Sequence, residues 1–452
     1  MNPMPTPARH SWASLRDDAA AIWSAALESV QPERLVANRL SFAGPARELL
    51  CDRVGDQAGA GLFLDPPVRL ADIDRIVVIG GGKAAAGLAA GIERLLAQSG
   101  IDGQRVTGLV SVPAGCGRSL SRIEVRETRP AAVNLPTPAV VNATLEMLAM
   151  IRSLTPRDLV IALVTGGGSA LLAAPREGVT LAEKIALTRT LSESGADIAT
   201  LNAARRRLSL VKGGGLAGAC RAGRMLAIVL SDVIGDDLNV IASGPCLPPG
   251  PHSPDGAWTT PAGCRVSHAL LGTNATAVAA AAAEAARRGY DVEVCPATAV
   301  NTTTQNTAEA VGRGLAVESL ALAAAVARDG RPRAVIAGGE ATVSVPAEHG
   351  VGGRNQQTVL AAIDTIGWAA GQWPAGLLIA SVGTDGEDGP TDAAGAVADA
   401  EVVAAIGQMG LDVPGSLARC DAFPLLNAAG GLIRTGLTGT NVADVRIVLA
   451  RV

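Results

Sequence analysis

The chain has 452 residues, 48% of them hydrophobic and 18% charged, enough for two or three domains of about 100–200 residues each. Lys and Arg number 38 against 42 Asp and Glu, so no basic excess exists to neutralise a phosphodiester backbone, and aromatics at 2% supply no base-stacking platform. Both argue against a nucleic-acid partner. Glycine, at 53 of 452 residues, is well above the usual ~7%.

In chain order, no apolar run precedes Arg16, Asp17 and Asp18, so no signal peptide is expected. Arg75–Ile79 (RIVVI) reads as a buried strand, and a helix follows through about Gln98 with Leu88, Ile92, Leu95 and Leu96 at helical spacing. Between them lies Gly80-Gly81-Gly82-Lys83. A helix N-terminus carries unpaired N–H groups, glycines let an anion approach them, and Lys83 adds a point charge. The turn is no Walker A loop, because Val77 and Ala84 stand where Gly and Ser/Thr are needed. Gly80-x-Gly82-x-x-Ala85 does fit a loose dinucleotide fingerprint, but the next strand, about Val106–Val112, ends in Ser-Val-Pro without the acidic ribose ligand. A tight turn with a solvated lysine is the plain alternative.

Leu159–Val164 is a second strand, running into Thr165-Gly166-Gly167-Gly168-Ser169, which read alone is a crowded turn or another anion loop. In NAARRRLSLVKGGGL (Asn202–Leu216) the three arginines suit a solvated helix face, whereas Lys212 beside Gly213–Gly215 is more informative. The chain holds only three lysines, Lys83, Lys184 and Lys212, and two of them abut triple glycines. A compact ammonium suits phosphate as a point charge; Arg prefers planar bidentate partners. Strand Met225–Leu230 runs into Ser231-Asp232 and the acids Asp236 and Asp237. The proline-rich stretch Gly244–Ala262 suits neither helix interior nor central strand and reads as a linker. It predicts one domain over 1–250 and a second over 251–452, with the option that the last strand returns to the first.

Beyond it, Ala334–Ala337 leads to Gly338-Gly339-Glu340, then come Gly352-Gly353-Arg354-Asn355-Gln356 at a helix start. Strand Gly376–Ser381 leads to Gly383–Gly389 with Thr384 and Asp385, and Thr438–Asn441 precedes a last strand, Val445–Leu449. Apolar strands alternating with helices predict an α/β fold of layered domains with mostly parallel sheets. Acids at the carboxyl ends of such strands face the crevice where these sheets bind ligands, and oxygen ligands beside phosphates suit Mg²⁺. Asx turns capping helices are the alternative for each acidic loop. Seven widely spaced cysteines without a CxxC and four histidines without zinc spacing predict reduced, mostly buried thiols and no His/Cys metal site. No Ser/His/Asp constellation is readable. No segment approaches the ~20 apolar residues of a membrane span, and a cytoplasmic protein without a membrane partner is expected.

Eight ordered segments, GGGKAA, TGGGSALL, RRRLSLVKGGGLA, SDVIGDDLNVIASGP, GGEATV, GGRNQQ, GTDGEDGPTDAAGA and TGLTGTNVAD, together resemble the class II glycerate 2-kinases over nearly the whole chain. The resemblance implies a glycerate-kinase N-terminal domain and a C-terminal MOFRL domain, both α/β/α, meeting at an active-site cleft. It implies transfer of the γ-phosphoryl group of ATP to the 2-hydroxyl of D-glycerate with Mg²⁺. Lys83 and Arg354 match the family's catalytic lysine and arginine, and Asp232 falls on its SDV-x-GD motif. Asp232 and Asp385 are then Mg²⁺ ligands or the base for the acceptor hydroxyl. Substrate and nucleotide contacts are expected from Gly81, Gly82, Gly167, Gly168, Ser169, Asn202, Lys212, Gly213, Gly214, Glu340, Asn355, Thr384 and Asn441, with backbone N–H groups of Gly166–Ser169 and Gly213–Gly215 serving anions. A homodimer is the expected assembly if the chain self-associates. Thr128–Pro136 lacks the His usual in that region of the family, Cys246 replaces a Thr and Gln357 a Glu. A kinase for another small hydroxy acid, an NAD(P)-dependent hydroxypyruvate reductase and an idle metabolite-binding protein therefore stay open.

Overall fold

The computed structural model describes residues 14–43, 48–51, 68–131, 133, 135–193, 198–248, 257–295, 297, 306–368 and 372–452. Its strands in chain order are β1 (Leu40–Ala43), β2 (Glu48–Cys51), β3 (Ile76–Gly81), β4 (Val106–Pro113), β5 (Ile123–Arg129), β6 (Leu159–Thr165), β7 (Arg224–Leu230), β8 (Trp258–Thr259), β9 (Arg265–Gly272), β10 (Asp291–Cys295), β11 (Arg333–Gly339), β12 (Leu377–Gly383), β13 (Gly395–Ala398), β14 (Leu432–Ile433) and β15 (Asp444–Ala450). Strands β1 and β2 form a small hairpin sheet of their own.

The first large sheet has the order β5-β4-β3-β6-β7-β9-β8, parallel except for the short edge pair β8–β9. Its central strands are buried along their whole length, as the β-branched run of β3 and the apolar run of β6 require. The order reverses between β3 and β6: after β3 the chain goes outward to β4 and β5, then returns to β3's other side with β6. Ligands of open α/β sheets bind beyond the strand ends at such a reversal. Register fixes what meets there. Gly81 is level with Val164, and Thr165 with Leu230, so the turns holding Lys83, Gly166–Ser169 and Asp232 leave the sheet side by side.

The second sheet, ordered β10-β11-β15-β12-β13-β14, departs from the expected pattern. Only β10–β11 is parallel; β15 runs opposite to both its neighbours, and β13 and β14 are antiparallel too. The α/β class holds, but mostly parallel pairing is confined to the first sheet. The reversal of β15 matters for the site: it brings Asp444, its first residue, level with Gly339 of β11 and Gly383 of β12. The loops bearing Glu340, Asp385 and Asn441 thereby converge.

The expected division at 250/251 does not follow the sheets. Strands β8 and β9, residues 258–272, extend the first sheet, because the largely buried run of Arg265–Gly272 pairs in parallel with β7. Nor does the last strand return to the first sheet; β15 lies inside the second. The N-terminal helix Leu15–Ser29, opened by a Ser14–Asp17 capping box, packs instead on helix Asn274–Arg287. Asp18, buried in that contact, accepts from Tyr290 Oη at 2.7 Å, Arg288 Nη1 at 2.5 Å and Arg451 Nη1 at 3.3 Å. One apolar cluster runs from Val78 and Leu163 of the first sheet to Ile336, Leu378 and Leu449 of the second, so the two sheets share a core.

Among the described residues one helix, Ala308–Asp329, is long and apolar enough to cross a membrane, contrary to the reading of the sequence. It packs along helix Arg354–Ile366 so closely that a Cβ on Gly312 would lie 2.2 Å from the Thr358 carbonyl oxygen. Ala308, Gly312, Leu315, Ala316, Ser319 and Val326 are buried, whereas Val317 and Leu320 stay exposed. Among the described cysteines no disulfide is present; Cys220, Cys246 and Cys264 are buried and Cys116, Cys295 and Cys420 half-buried, so burial is less general than expected.

Candidate active site

The first glycine turn works differently from its sequence reading. Gly82 has φ +143, and a Cβ there would stand 1.9 Å from Thr165 Oγ1, so the turn lies against β6 with no room for a side chain. Its N–H groups are taken by the protein: Gly82 donates to Ser111 O at 3.2 Å, Lys83 to Gly166 O at 2.9 Å and Ala84 to Thr165 Oγ1 at 3.3 Å. Gly81 is buried at the strand end. These glycines hold Lys83 in place and offer no anion cradle.

Lys83 Nζ reaches the other sheet, donating to Asp385 Oδ2 at 2.7 Å and Glu387 Oε2 at 2.5 Å. Burial alone would lower its pKa, but Asp385 and Glu387 outweigh burial and hold it above the usual value. Lys83 is a cation in this cleft. Asp232 lies beside it. Burial pushes its carboxyl up to about 6, the negative charge of Asp385 adding to the shift and the Gly167 N–H and Lys83 opposing it. Asn441 Nδ2 approaches Asp232 Oδ2 at 3.4 Å from the second sheet. A Cβ on Gly166 would fall 2.5 Å from Asp232 Oδ2, which is why that position carries none.

Arg354 opens helix Arg354–Ile366 and grips Asp444 with two hydrogen bonds, Nε to Oδ2 at 2.7 Å and Nη2 to Oδ1 at 2.8 Å. Its Nη1 lies 3.2 Å from Glu340 Oε1. Burial works against its charge, yet Asp444, Glu340 and Asp385 hold its pKa well above the usual value. Glu340 keeps 45% of its side chain exposed, yet the protein packed around it lifts its carboxyl to about 7, with Arg354 opposing and Asp444, Asp232 and Asp385 adding. Asp385 thus acts on Lys83, Asp232, Arg354 and Glu340 alike. The structure brings these five into one charged cleft between the sheets.

Other expected contacts point elsewhere. Thr384 is fully buried; its Oγ1 donates to Ala443 O at 2.7 Å and accepts from Val442 N at 2.8 Å, tying two loops together. Asn355 is buried against Asp388, Asp444 and Ser381. The N–H groups of Gly213, Gly214 and Gly215 donate to Ser243, Gly244 and Lys212 carbonyls at 3.0, 2.8 and 3.2 Å, so this turn has none for an anion. The positive φ values of Gly213 and Gly214, +59 and +83, explain the glycines instead.

A second compartment opens behind Gly167, Gly168 and Ser169, a cavity of about 230 Å³ reaching Asp232 at one end. Asn202 and Lys212 line it as expected, Asn202 Oδ1 accepting from Ser243 Oγ at 2.9 Å and Lys212 Nζ donating to Ser169 O and Ala242 O, each at 3.2 Å. Ala242 and Ser243 on this side hold φ +49 and +62, a strained conformation for non-glycine residues. The sequence reading missed two groups. Lys184 lines the cavity, and the scarcity of lysine was the signal that could have found it. Arg129 lies near Gly167, its Nη2 3.6 Å from where a Gly167 Cβ would be, in the segment lacking the family's His.

Asp232 and Asp385 supply hard oxygen donors next to one another's fields, a donor set that fits Mg²⁺, which keeps several waters and needs only one or two carboxylates. Among the described residues neither belongs to a compact three-ligand cluster; the one such group, Glu293, Cys295 and Glu318, lies outside this cleft.

Fold and site together define an α/β protein of two sheets with a mixed-charge cleft where their strand ends face one another. Residues 18–277 match the model described as a domain of unknown function, DUF4147, and residues 333–444 match the MOFRL family. A glycerate kinase of Bos taurus is 33% identical over 95% of this chain and 92% of its own. A D-glycerate 2-kinase of Thermotoga maritima is 33% identical over 83% of this chain and 91% of its own. A relative from Agrobacterium vitis called a putative hydroxypyruvate reductase is 34% identical over 83% of this chain and 99% of its own. Among solved structures, a crystal structure of glycerate kinase from Thermotoga maritima superposes with TM-score 0.73 at 30% identity, covering 96% of this chain and 99% of that one. The chain belongs to the glycerate kinase family.

Proposed function

We propose that the protein transfers the γ-phosphoryl group of ATP to the 2-hydroxyl of D-glycerate, with Mg²⁺, giving 2-phosphoglycerate and ADP. The observation that carries this reading is the contact of Lys83 with Asp385 and Glu387, which joins the carboxyl ends of both sheets at one cation with Asp232, Arg354 and Glu340 around it. Phosphoryl transfer needs positioning and charge neutralisation more than covalent chemistry, and this cleft has groups for both. Lys83 and Arg354 stabilise charge on the moving phosphoryl oxygens. Asp232 and Asp385 would hold Mg²⁺, which when bound neutralises phosphate charge. The bond from the γ-phosphorus to the β-bridging oxygen breaks, a bond to the glycerate O2 forms, and the hydroxyl proton passes to a cleft carboxylate. Glu340, whose pKa of about 7 suits proton transfer near neutrality, is the candidate acceptor. The reductase reading loses its structural basis, since the N–H groups that a dinucleotide pyrophosphate needs at the first glycine turn are already bonded within the protein.

The test is turnover of the purified protein with ATP, Mg²⁺ and D-glycerate, followed by an enolase-coupled assay that separates 2- from 3-phosphoglycerate. Formation of 2-phosphoglycerate is expected. Turnover of other small hydroxy acids with none on glycerate would reassign the acceptor.

A further inference from the structure

The cavity behind Gly167–Ser169 collects positive charge from three separate elements. Lys184 comes from helix Leu181–Glu193, Arg205 from helix Ile198–Arg207, and Lys212 from the turn after it. Lys184 is only 4% exposed, yet its Nζ has no hydrogen-bond partner. Among the described residues no carboxylate pairs with any of the three; the cavity's one acid is Asp232, at the end nearest Lys83. Burying unpaired cations together is costly unless something else supplies the counter-charge. A lysine kept only for packing would keep its ammonium at the surface.

We propose that this cavity receives the polyphosphate chain of the nucleotide, and that Lys184, with Arg205 and Lys212, binds it. The proposal rests on the kinase reading above and adds to it which compartment takes the nucleotide. Charge selects the ligand. Three cations are poorly matched by the single charge of a hydroxy-acid carboxylate and well matched by a triphosphate. Size agrees: about 230 Å³ accommodates phosphates but falls below the usual range for a whole organic ligand, leaving the nucleoside outside. Position agrees too, because two of its lining residues, Asp232 and Gly167, lie next to Lys83, where the terminal phosphoryl group would meet the acceptor. Burial and the neighbouring Arg205 pull Lys184 down to about 8, and burial with Lys184, Arg205 and Arg206 pulls Lys212 well below its usual value; a bound polyphosphate would favour the charged form of both.

Calorimetric titration of the full-length protein with inorganic tripolyphosphate, and separately with D-glycerate, tests this without turnover. Lys184→Met is expected to weaken tripolyphosphate binding and raise the KM for ATP by about 10- to 100-fold, the loss of one charge-assisted hydrogen bond. The KM for D-glycerate should stay within about twofold, and Lys184→Arg should recover part of the loss. If Lys184→Met unfolds, Arg205→Gln, on the half-buried side of the cavity, should give the same split. Unchanged tripolyphosphate affinity in a folded variant overturns the proposal, and so does weakening confined to glycerate. Normal wild-type turnover with tripolyphosphate binding indifferent to both residues would sink this assignment and spare the kinase reading. Lys184-dependent tripolyphosphate binding without any glycerate turnover would do the reverse.

Discussion

Lys83 illustrates how one side chain can decide a site. Removing its ammonium takes away charge at the transferring group and leaves Asp385 and Glu387 facing each other unpaired. Lys83→Met is therefore expected to lower kcat by about 10²- to 10³-fold, while circular dichroism shows a retained fold. The loss of pairing should also lower the melting temperature in EDTA, and millimolar Mg²⁺ should restore part of it. A variant with wild-type kcat would remove Lys83 from the chemistry. Gly82→Ala should cost as much activity with the lysine still present, because its Cβ collides with Thr165 Oγ1 at 1.9 Å and the turn must move. Lys83 and Arg354 were legible in the sequence because a cation beside glycines at a helix start suits an anion and both match the family's motifs, although the glycines in fact serve close packing, Gly82 against Thr165 and Gly353 against Asp388. Thr384, Asn355 and the N–H groups of Gly213–Gly215 were not legible as scaffold. A sequence shows which residues share a loop, but not whether a hydroxyl or N–H points to the cleft or to a neighbouring carbonyl. Lys184 lies in the first turn of helix Leu181–Glu193, between the glycine turns, with no local motif at all.

At the scale of elements, helix Arg354–Ile366 is held in place by a residue from another loop. Its Ncap is Gly353, which has no side chain to cap with, so Asp388 supplies the carboxylate: Oδ1 accepts from Asn355 N at 3.0 Å and Oδ2 from Gln356 N at 2.9 Å. A Cβ on Gly353 would lie 2.2 Å from Asp388 Cγ, so the glycine is the condition for this cap. Asp388→Ala should destabilise the protein by about 1–3 kcal/mol in urea titrations and, by loosening the first turn, reduce kcat more than Asp388→Asn does. The same residue gives a pH dependence. Burial raises its carboxyl to about 6, against the two N–H groups and Arg354, which favour the charged form. The folded chain then keeps a proton that the unfolded chain has released above about 4, so Asp388 opposes stability above pH 6 and ceases to as pH falls toward 4. Asp158 and Asp399, whose carboxyls are held below their usual values, lose their contribution only below that window. Asp232 and Glu340, raised to about 6 and about 7, act in the same direction, so melting temperature without ligand should rise between pH 7.5 and 5, and Asp388→Asn should flatten part of the rise. A slope unchanged in that variant would assign the effect to other groups. The central strands β3, β4, β6, β7, β11, β12 and β15 were readable from apolar runs, whereas the half-exposed β5 and β10 were not; nor was the antiparallel insertion of β15, because a run buried on both faces carries no mark of its direction.

Over the whole molecule, the two layered sheets share a core, and the N-terminal helix belongs spatially to the later half of the chain. Asp18 anchors that helix through Tyr290, Arg288 and Arg451, three residues from the second half of the sequence. Just past the helix, Val30 O accepts from Thr440 Oγ1 at 2.7 Å, and the next residue, Asn441, is the one that touches Asp232. The helix therefore braces one wall of the cleft. Asp18→Ala leaves two guanidinium groups and a phenol without their buried acceptor and should cost about 3–5 kcal/mol of stability. Asp18→Asn, which can still accept from Tyr290, should cost less. Through Thr440 and Asn441 the Ala variant should also shift the midpoint at which Mg²⁺ protects the protein from thermal unfolding, because the brace of Asp232 is loosened. Thr440→Val separates the two effects: it cuts only the link between helix and cleft, so it should reproduce the weaker Mg²⁺ protection at a cost of about 1 kcal/mol. Equal protection in wild type and Thr440→Val would show that the N-terminal helix contributes to folding alone and that the cleft is organised by the sheets without it.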